Sequence, residues 1–187
     1  MTSPKPFAQH LIMAGVAGGT YAAMFFFNGW LFSSFEFTAG VNWIYLPAGM
    51  RLLLVLMFGL SGAIGISVSS ALISVTVYFA HDPLTGLVAG FISGFAPYAI
   101  QKVMQRFAGL ESSLYNINAV GLLQLTLIYA VATSFGHQAW FTLRGVTQDF
   151  WISTWPMFVG DLIGSLMVLY AAHAVVKLLR WRNAQAY

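Results

Sequence analysis

Apolar residues fill positions 11–32, 44–80, 84–101, 114–135 and 156–176 almost without interruption, so none of these stretches has the one-sided stripe of a helix lying on a soluble core. Runs of about 18 or more such residues are long enough to cross the hydrocarbon layer of a bilayer. The second run would form a helix of roughly 55 Å at 1.5 Å per residue, nearly twice the ~30 Å available, so it must fold back on itself. Gly59-Leu60-Ser61-Gly62 is where the chain can turn tightly. The pattern therefore predicts six spans, near 11–33, 45–59, 62–80, 84–106, 114–135 and 156–178, with a polar connection at about 136–150. The expected fold is one all-α, polytopic membrane helix bundle.

Composition supports that reading: of 187 residues, 59% are apolar and 7% charged, against roughly 25% charged in an ordinary soluble domain. The first run, of about 22 residues, exceeds the h-region of a secretory signal, and no small-x-small cleavage site follows it, so it is expected to stay as helix 1. Cysteine is absent, which excludes a disulfide framework, a thiolate metal site and a cysteine nucleophile. The net charge of +3 is accounted for by topology. Lys5, Lys102, Arg106, Lys177, Arg180 and Arg182 fall on one side, and Arg144 with the embedded Arg51 on the other. The positive-inside rule then makes both termini cytoplasmic, as in a multi-pass protein of a bacterial inner membrane. Trp30, Trp43, Trp140, Trp151 and Trp155 fall at the outer ends and Trp181 at the inner one, the positions where tryptophan meets the bilayer interface.

Two charges lie inside spans. Arg51, in "YLPAGMRLLLVLMFG", follows Pro47 by four residues, and Asp161, in "WPMFVGDLIGSLMVLY", follows Pro156 by five. With each proline in a first helical turn, both charges sit about 6–8 Å below the outer helix ends. An unpaired charge at the centre of a span costs at least about 2.5–3.5 kcal/mol, so the two are expected to pair between helices 2 and 6. Such a pair can pin two helices together or belong to a small-ligand site. Asn28, Glu36, Asn42, His81, Asp82, His137, Arg144 and Asp149 share the outer half, and Asn28, Asn42, His81 and Arg144 are the candidates to surround a polar ligand beside the pair.

The remaining polar residues read as packing. His173 in helix 6 is expected to be hydrogen-bonded, as are Asn116, Asn118 and Gln124 between helices. Gly15-x-x-x-Gly19, Gly18-x-x-x-Ala22, Gly86-x-x-x-Gly90-x-x-x-Gly94 and Gly160-x-x-x-Gly164 are small-residue faces that let helices approach closely. No nucleophile elbow, paired carboxylates, phosphate-binding glycine loop or histidine pair with metal-ligand spacing is present, so neither catalysis nor a metal or other cofactor is expected. The basic residues flank spans, which argues against nucleic-acid binding. The bilayer, a small ligand and a signalling partner are the partners expected.

"FWISTWPMFVGDLIGSLMVL" is similar to the aromatic-rich approach and Gly-Asp-x-x-Gly element of membrane-associated sensor domains of the MASE type, here Gly160, Asp161 and Gly164. "YLPAGMRLLLVLMFGLSGAIGI" resembles that family's Pro-Ala-Gly helix and glycine turn through Pro47, Gly49 and Gly59, and "GLVAGFISGFAPYAIQKVMQRFAG" resembles the next span. The likeness covers most of residues 41–170. It implies a sensory or ligand-binding membrane module without a catalytic domain, acting through a separate partner. The chain departs from the family in Ala96-Pro97-Tyr98, where a polar Asn/Glu element is usual, in having six spans rather than about eight, and in the absence of an output domain before Tyr187. Size, span count and an outward polar site also suit the substrate-binding component of an energy-coupling-factor vitamin transporter. A purely structural membrane subunit is the third expectation.

Overall fold

A computed structural model describes residues 6–107 and 119–185; Lys5, Asn116 and Asn118 lie outside the described residues. The helices are α1 (Pro6–Phe32), α2 (Leu46–Phe58), α3 (Leu60–Ile73), α4 (Pro83–Phe107), α5 (Ala119–Leu143) and α6 (Phe150–Gln185). A 3-10 turn at Ser33–Phe35 and a small antiparallel hairpin, β1 (Glu36–Thr38) and β2 (Val41–Asn42), join α1 to α2. A π turn at Ser74–Tyr78 extends α3. Among the described residues, five helices are long and apolar enough to cross a membrane. Large apolar side chains such as Phe7, Trp30, Leu72, Phe91 and Tyr170 face outward, while Ser70, Thr85, Ser93, Thr133 and Gln138 are buried. Polar groups turned inward and apolar ones outward are what a bundle surrounded by lipid requires. The chain is an all-α, multi-pass membrane protein.

The exception in length is α2, whose 13 residues reach only about 20 Å. It packs against every other helix, and nine of its residues are buried, Arg51 among them. Lipid is thus nearly excluded from the helix that carries the intramembrane arginine. The fold-back falls at Gly59, with φ 56° and ψ −128°, a conformation that glycine adopts without steric cost. Its N–H closes on Val55 O at 2.7 Å, and α3 starts at the next residue rather than at 62.

At the inner ends α1 starts at Pro6 and not at 11, and α6 runs to Gln185 and not to 178; two boundaries at the outer end also differ from expectation. Helix α5 runs to Leu143, so most of the expected connection at 136–150 is helical. His137 and Gln138 are buried; the polar dipeptide faces inward and does not end the helix. The stop comes at Gly145, with φ 70°, where Gly145 N–H meets Thr142 O at 3.1 Å and Val146 N–H meets Phe141 O at 2.8 Å, a Schellman ending. Helix α6 starts six residues before Pro156, because Asp149 Oδ1 accepts the N–H groups of Trp151 and Ile152 at 2.9 and 3.0 Å and caps the helix upstream. Pro156 therefore lies inside the helix, not in its first turn, and leaves Ile152 O without its i+4 donor.

The glycine faces on α4 and α6 are packing faces. A Cβ on Gly90 would come 2.5 Å from Ala71, one on Gly86 2.5 Å from Val75, and one on Gly94 would run into Ala63 and Ser67. On α1 the expectation for Gly15 and Gly19 fails: neither has a neighbour within 4 Å of where a Cβ would stand. The face that meets α3 is the other one expected on α1, Gly18 with Ala22, through Gly18 against Gly65, because Ala17, Tyr21 and Phe25 are the α1 side chains drawn into the core and Ala22 packs beside them.

Gln124 and His173 are exposed rather than engaged between helices. Both face the outside of α5 and α6, where the neighbouring helices do not reach.

Candidate functional site

The segment that leads into α2 is held from two sides. Asn28 of α1 accepts the Leu46 N–H through Oδ1 at 2.9 Å, and Gly160 O of α6 accepts the Tyr45 N–H at 3.2 Å. A Cβ on Gly160 would strike the Asn42 carbonyl, and one on Gly164 the Tyr45 carbonyl. The two glycines thus let the backbone at 42–46 lie directly on α6, which sets Arg51 and Asp161 at the same depth.

The expected pair forms. Arg51 Nη2 donates to Asp161 Oδ1 at 3.4 Å, with both side chains almost wholly buried. That is longer than the 2.7–2.9 Å usual for a charge-assisted bond, because each partner is shared. Asp161 Oδ2 accepts the Thr133 hydroxyl at 2.7 Å, and Arg51 Nη1 donates to Ser93 Oγ at 2.9 Å. Ser93 Oγ lies 3.4 Å from His137 Nε2, and His137 Nδ1 lies 2.9 Å from Thr133 O. Arg51, Ser93, His137, Thr133 and Asp161 close a polar ring that draws on α2, α4, α5 and α6. Thr133 Oγ1 is also 2.9 Å from Tyr129 O, but its one proton goes to the nearer, charged carboxylate.

Removing that proton isolates an anionic oxygen. Thr133→Val should lower unfolding stability by about 1–2 kcal/mol, read as a lower denaturant midpoint, with the spans still inserted.

Beside this ring lies a cavity of about 30 Å³, bordered by Arg51, Ser93 and His137 at depth. Tyr21 of α1, Tyr45, and Ser70, Ser74 and Tyr78 of α3 and its π turn form its wall, and Gly40, Phe79 and Phe141 its outer end. The π turn, closed by Phe79 N–H to Ser74 O at 2.8 Å, adds one residue to the turn and brings both Ser74 and Tyr78 to the wall. The Tyr45 ring stands 5.3 Å from the Arg51 guanidinium, within cation–π range. Arg51 Nε is buried with no hydrogen-bond partner among the described residues. A space of this size holds water or a ligand of a few heavy atoms.

Of the outer-half residues singled out in the sequence, only His137 borders the cavity. Asn28 is a cap, and Asn42, though buried, serves through its backbone carbonyl against α6. His81 is exposed, lying in the turn before α4. Arg144 grips Asp82 in a fork, Nη2 to Oδ1 at 3.0 Å and Nε to Oδ2 at 3.2 Å, and Asp82 also accepts the Thr85 hydroxyl at 2.6 Å. Glu36 is exposed at the hairpin. Asn28, Asn42, His81 and Arg144 were assigned by their position near the outer end, and none of the four borders the cavity.

Hydrogen bonds from Arg144 and then Thr85 hold the Asp82 carboxyl below its ordinary value of 3.8. A depressed carboxylate stabilises the fold above its unfolded pKa, and that contribution is lost as pH falls through the folded value. The clamp between the α3–α4 connection and the end of α5 should therefore loosen only below about pH 3.8. Faster amide exchange at 82–86 in acid, absent in Arg144→Gln where the clamp is already open, is the expected observation.

Neither a family model, nor a curated protein, nor a solved structure matches this chain. What the site can do follows from its own geometry: a buried cation with donors to spare, a ring of neutral hydroxyls, and one imidazole in line with both.

Proposed function

We propose that the protein is a non-enzymatic sensory membrane module of a bacterial inner membrane, holding a small polar ligand in the outer half of its bundle and acting through a separate partner. The observation that carries this reading is Arg51 Nε, buried and unpartnered in a guanidinium that borders a cavity lined by hydroxyls. A buried N–H without an acceptor costs about 1–3 kcal/mol, and an acceptor group of a ligand, or water in its absence, removes that cost. The likeness of Gly160-Asp161-x-x-Gly164 to sensor domains supports the same reading, since those glycines set the depth of the Arg51–Asp161 pair.

The test is thermal stability of the purified chain against a panel of small polar solutes. One of them should stabilise the wild type with saturable dependence on concentration and leave Arg51→Gln unchanged. Equal effects on both proteins, or none on either, would remove the support for a ligand site at Arg51.

A second reading, the substrate-binding component of a vitamin transporter, is favoured by one observation: Gly15 and Gly19 of α1 are exposed, and among the described residues nothing lies within 4 Å of where their Cβ would stand, as on a helix face reserved for another membrane subunit.

A further inference from the structure

We infer that the ligand of this cavity is a small monovalent anion bound together with one proton, the anion on Arg51 and the proton on His137. This rests on the reading of the cavity as a ligand site and names the chemical class of what fills it.

The lining is rich in donors. Arg51 uses one N–H of Nη1 on Ser93 and one of Nη2 on Asp161, which leaves Nε without a partner. The hydroxyls of Tyr45, Ser70 and Ser74 line the space beside it, the Tyr21 hydroxyl giving its proton to Ser70 Oγ at 3.2 Å, and among the described residues no carboxylate borders it, Asp161 being turned to Thr133. A planar anion of about four heavy atoms suits both the volume and the guanidinium fork.

Charge then becomes the difficulty. Arg51 and Asp161 already balance, so an added anion alone would leave a net negative charge inside the bundle, which is costly. His137 supplies the balance. Its Nδ1 lies 2.9 Å from Thr133 O and its Nε2 3.2 Å from Ala89 O. Both facing atoms are acceptors, whereas a neutral imidazole has a single N–H. Either neutral tautomer sets a ring lone pair against a carbonyl, relieved only by the Ser93 hydroxyl at 3.4 Å. The imidazolium satisfies both carbonyls and frees the Ser93 hydroxyl to turn towards the anion. Arg51 from α2 reaches His137 through Ser93 and Asp161 from α6 through Thr133, and Tyr21 from α1, Tyr45 ahead of α2 and Tyr78 at the end of α3 border the same cavity. On α4, the facing residues Ala89 and Ser93 are neutral. The proton comes from solution and no bond other than its own N–H is formed.

The experiment uses the full chain in detergent with nitrate, the anion of a strong acid that cannot carry its own proton in, and acetamide, a neutral molecule of similar size and shape. Nitrate should stabilise saturably, take up about one proton per site on binding in weakly buffered solution, and bind up to about tenfold more tightly per unit fall in pH across the histidine range. His137→Gln should keep a weakened nitrate site with neither proton uptake nor pH dependence. If that variant does not fold, uptake by the wild type decides alone. Nitrate binding without proton uptake overturns the inference. Saturable binding of acetamide but not nitrate also overturns it while leaving a ligand site in place, and binding of neither removes both readings.

Discussion

Asp161→Ala lowers the stability of the bundle by about 3–5 kcal/mol, because Arg51 keeps its charge and its burial and loses its counter-ion. Arg51→Ala has a similar effect for the converse reason. The double variant is the informative one. With both charges gone no uncompensated ion remains, so the combined loss falls well short of the sum of the two, and a double-mutant cycle reads the shortfall as coupling. Additive losses would mean that the 3.4 Å contact carries no net interaction and that Thr133 and Ser93 hold the two charges independently. Reversible unfolding in mixed micelles gives the four stabilities on one scale.

Gly164→Ala is the second large effect. A single Cβ at this position meets the Tyr45 carbonyl and the Leu46 nitrogen, both backbone, so it cannot be relieved by a rotamer change. Overpacking of this kind costs about 1–3 kcal/mol, and here it also pushes the start of α2 away from α6. The ring should open with it, so ligand stabilisation is lost along with stability. Gly19→Ala on α1 is the control. No atom lies within 4 Å of the added methyl, and the change should be neutral or slightly stabilising through helix propensity. An equal loss at both positions would mean that Gly19 is packed against something other than this chain.

The pairing of Arg51 with Asp161 was legible because an intramembrane charge demands a partner; the depth count was not sound on α6, where Pro156 lies inside the helix and not in its first turn. The glycine faces on α4 and α6 were legible too, since spacing alone puts them on one side. The rest of the site was not. Ser93 stands beside Gly94 on the α4 face that packs inward, but a lone serine in an apolar run carries no signal of its own. Thr133 and His137 are four residues apart, hence on one face of α5, yet the drop in hydropathy at His137 and Gln138 reads as the end of a span. Hydropathy measures whether a segment is apolar; it does not tell a loop from a helix whose polar face is buried. The same blindness placed His81 and Arg144 near the ligand, when a shared depth says nothing about which way a side chain points. On α1 the sequence offered two small-residue faces, Gly15/Gly19 and Gly18/Ala22, and the choice between them depended on where Tyr21 and Phe25 find room, a property of the assembled bundle.

The wrapping of α2 by the other five helices sets an order in time. Arg51 and Asp161 are 110 residues apart, so at about 5–20 residues per second of synthesis the arginine leaves the ribosome roughly 5–20 s before its counter-ion is made. Thr133 and His137 also arrive late. During that interval α2 stands beside α1 and α3 with a cation that lacks its counter-ion and too little length to cross the bilayer, held by its packing on those two helices, the Gly59 turn and the Asn28 cap. Insertion of this protein is therefore completed from its C-terminal end, and a chain cut short before α6 keeps Arg51 on Ser93 and the Tyr45 ring but carries its charge without the counter-ion.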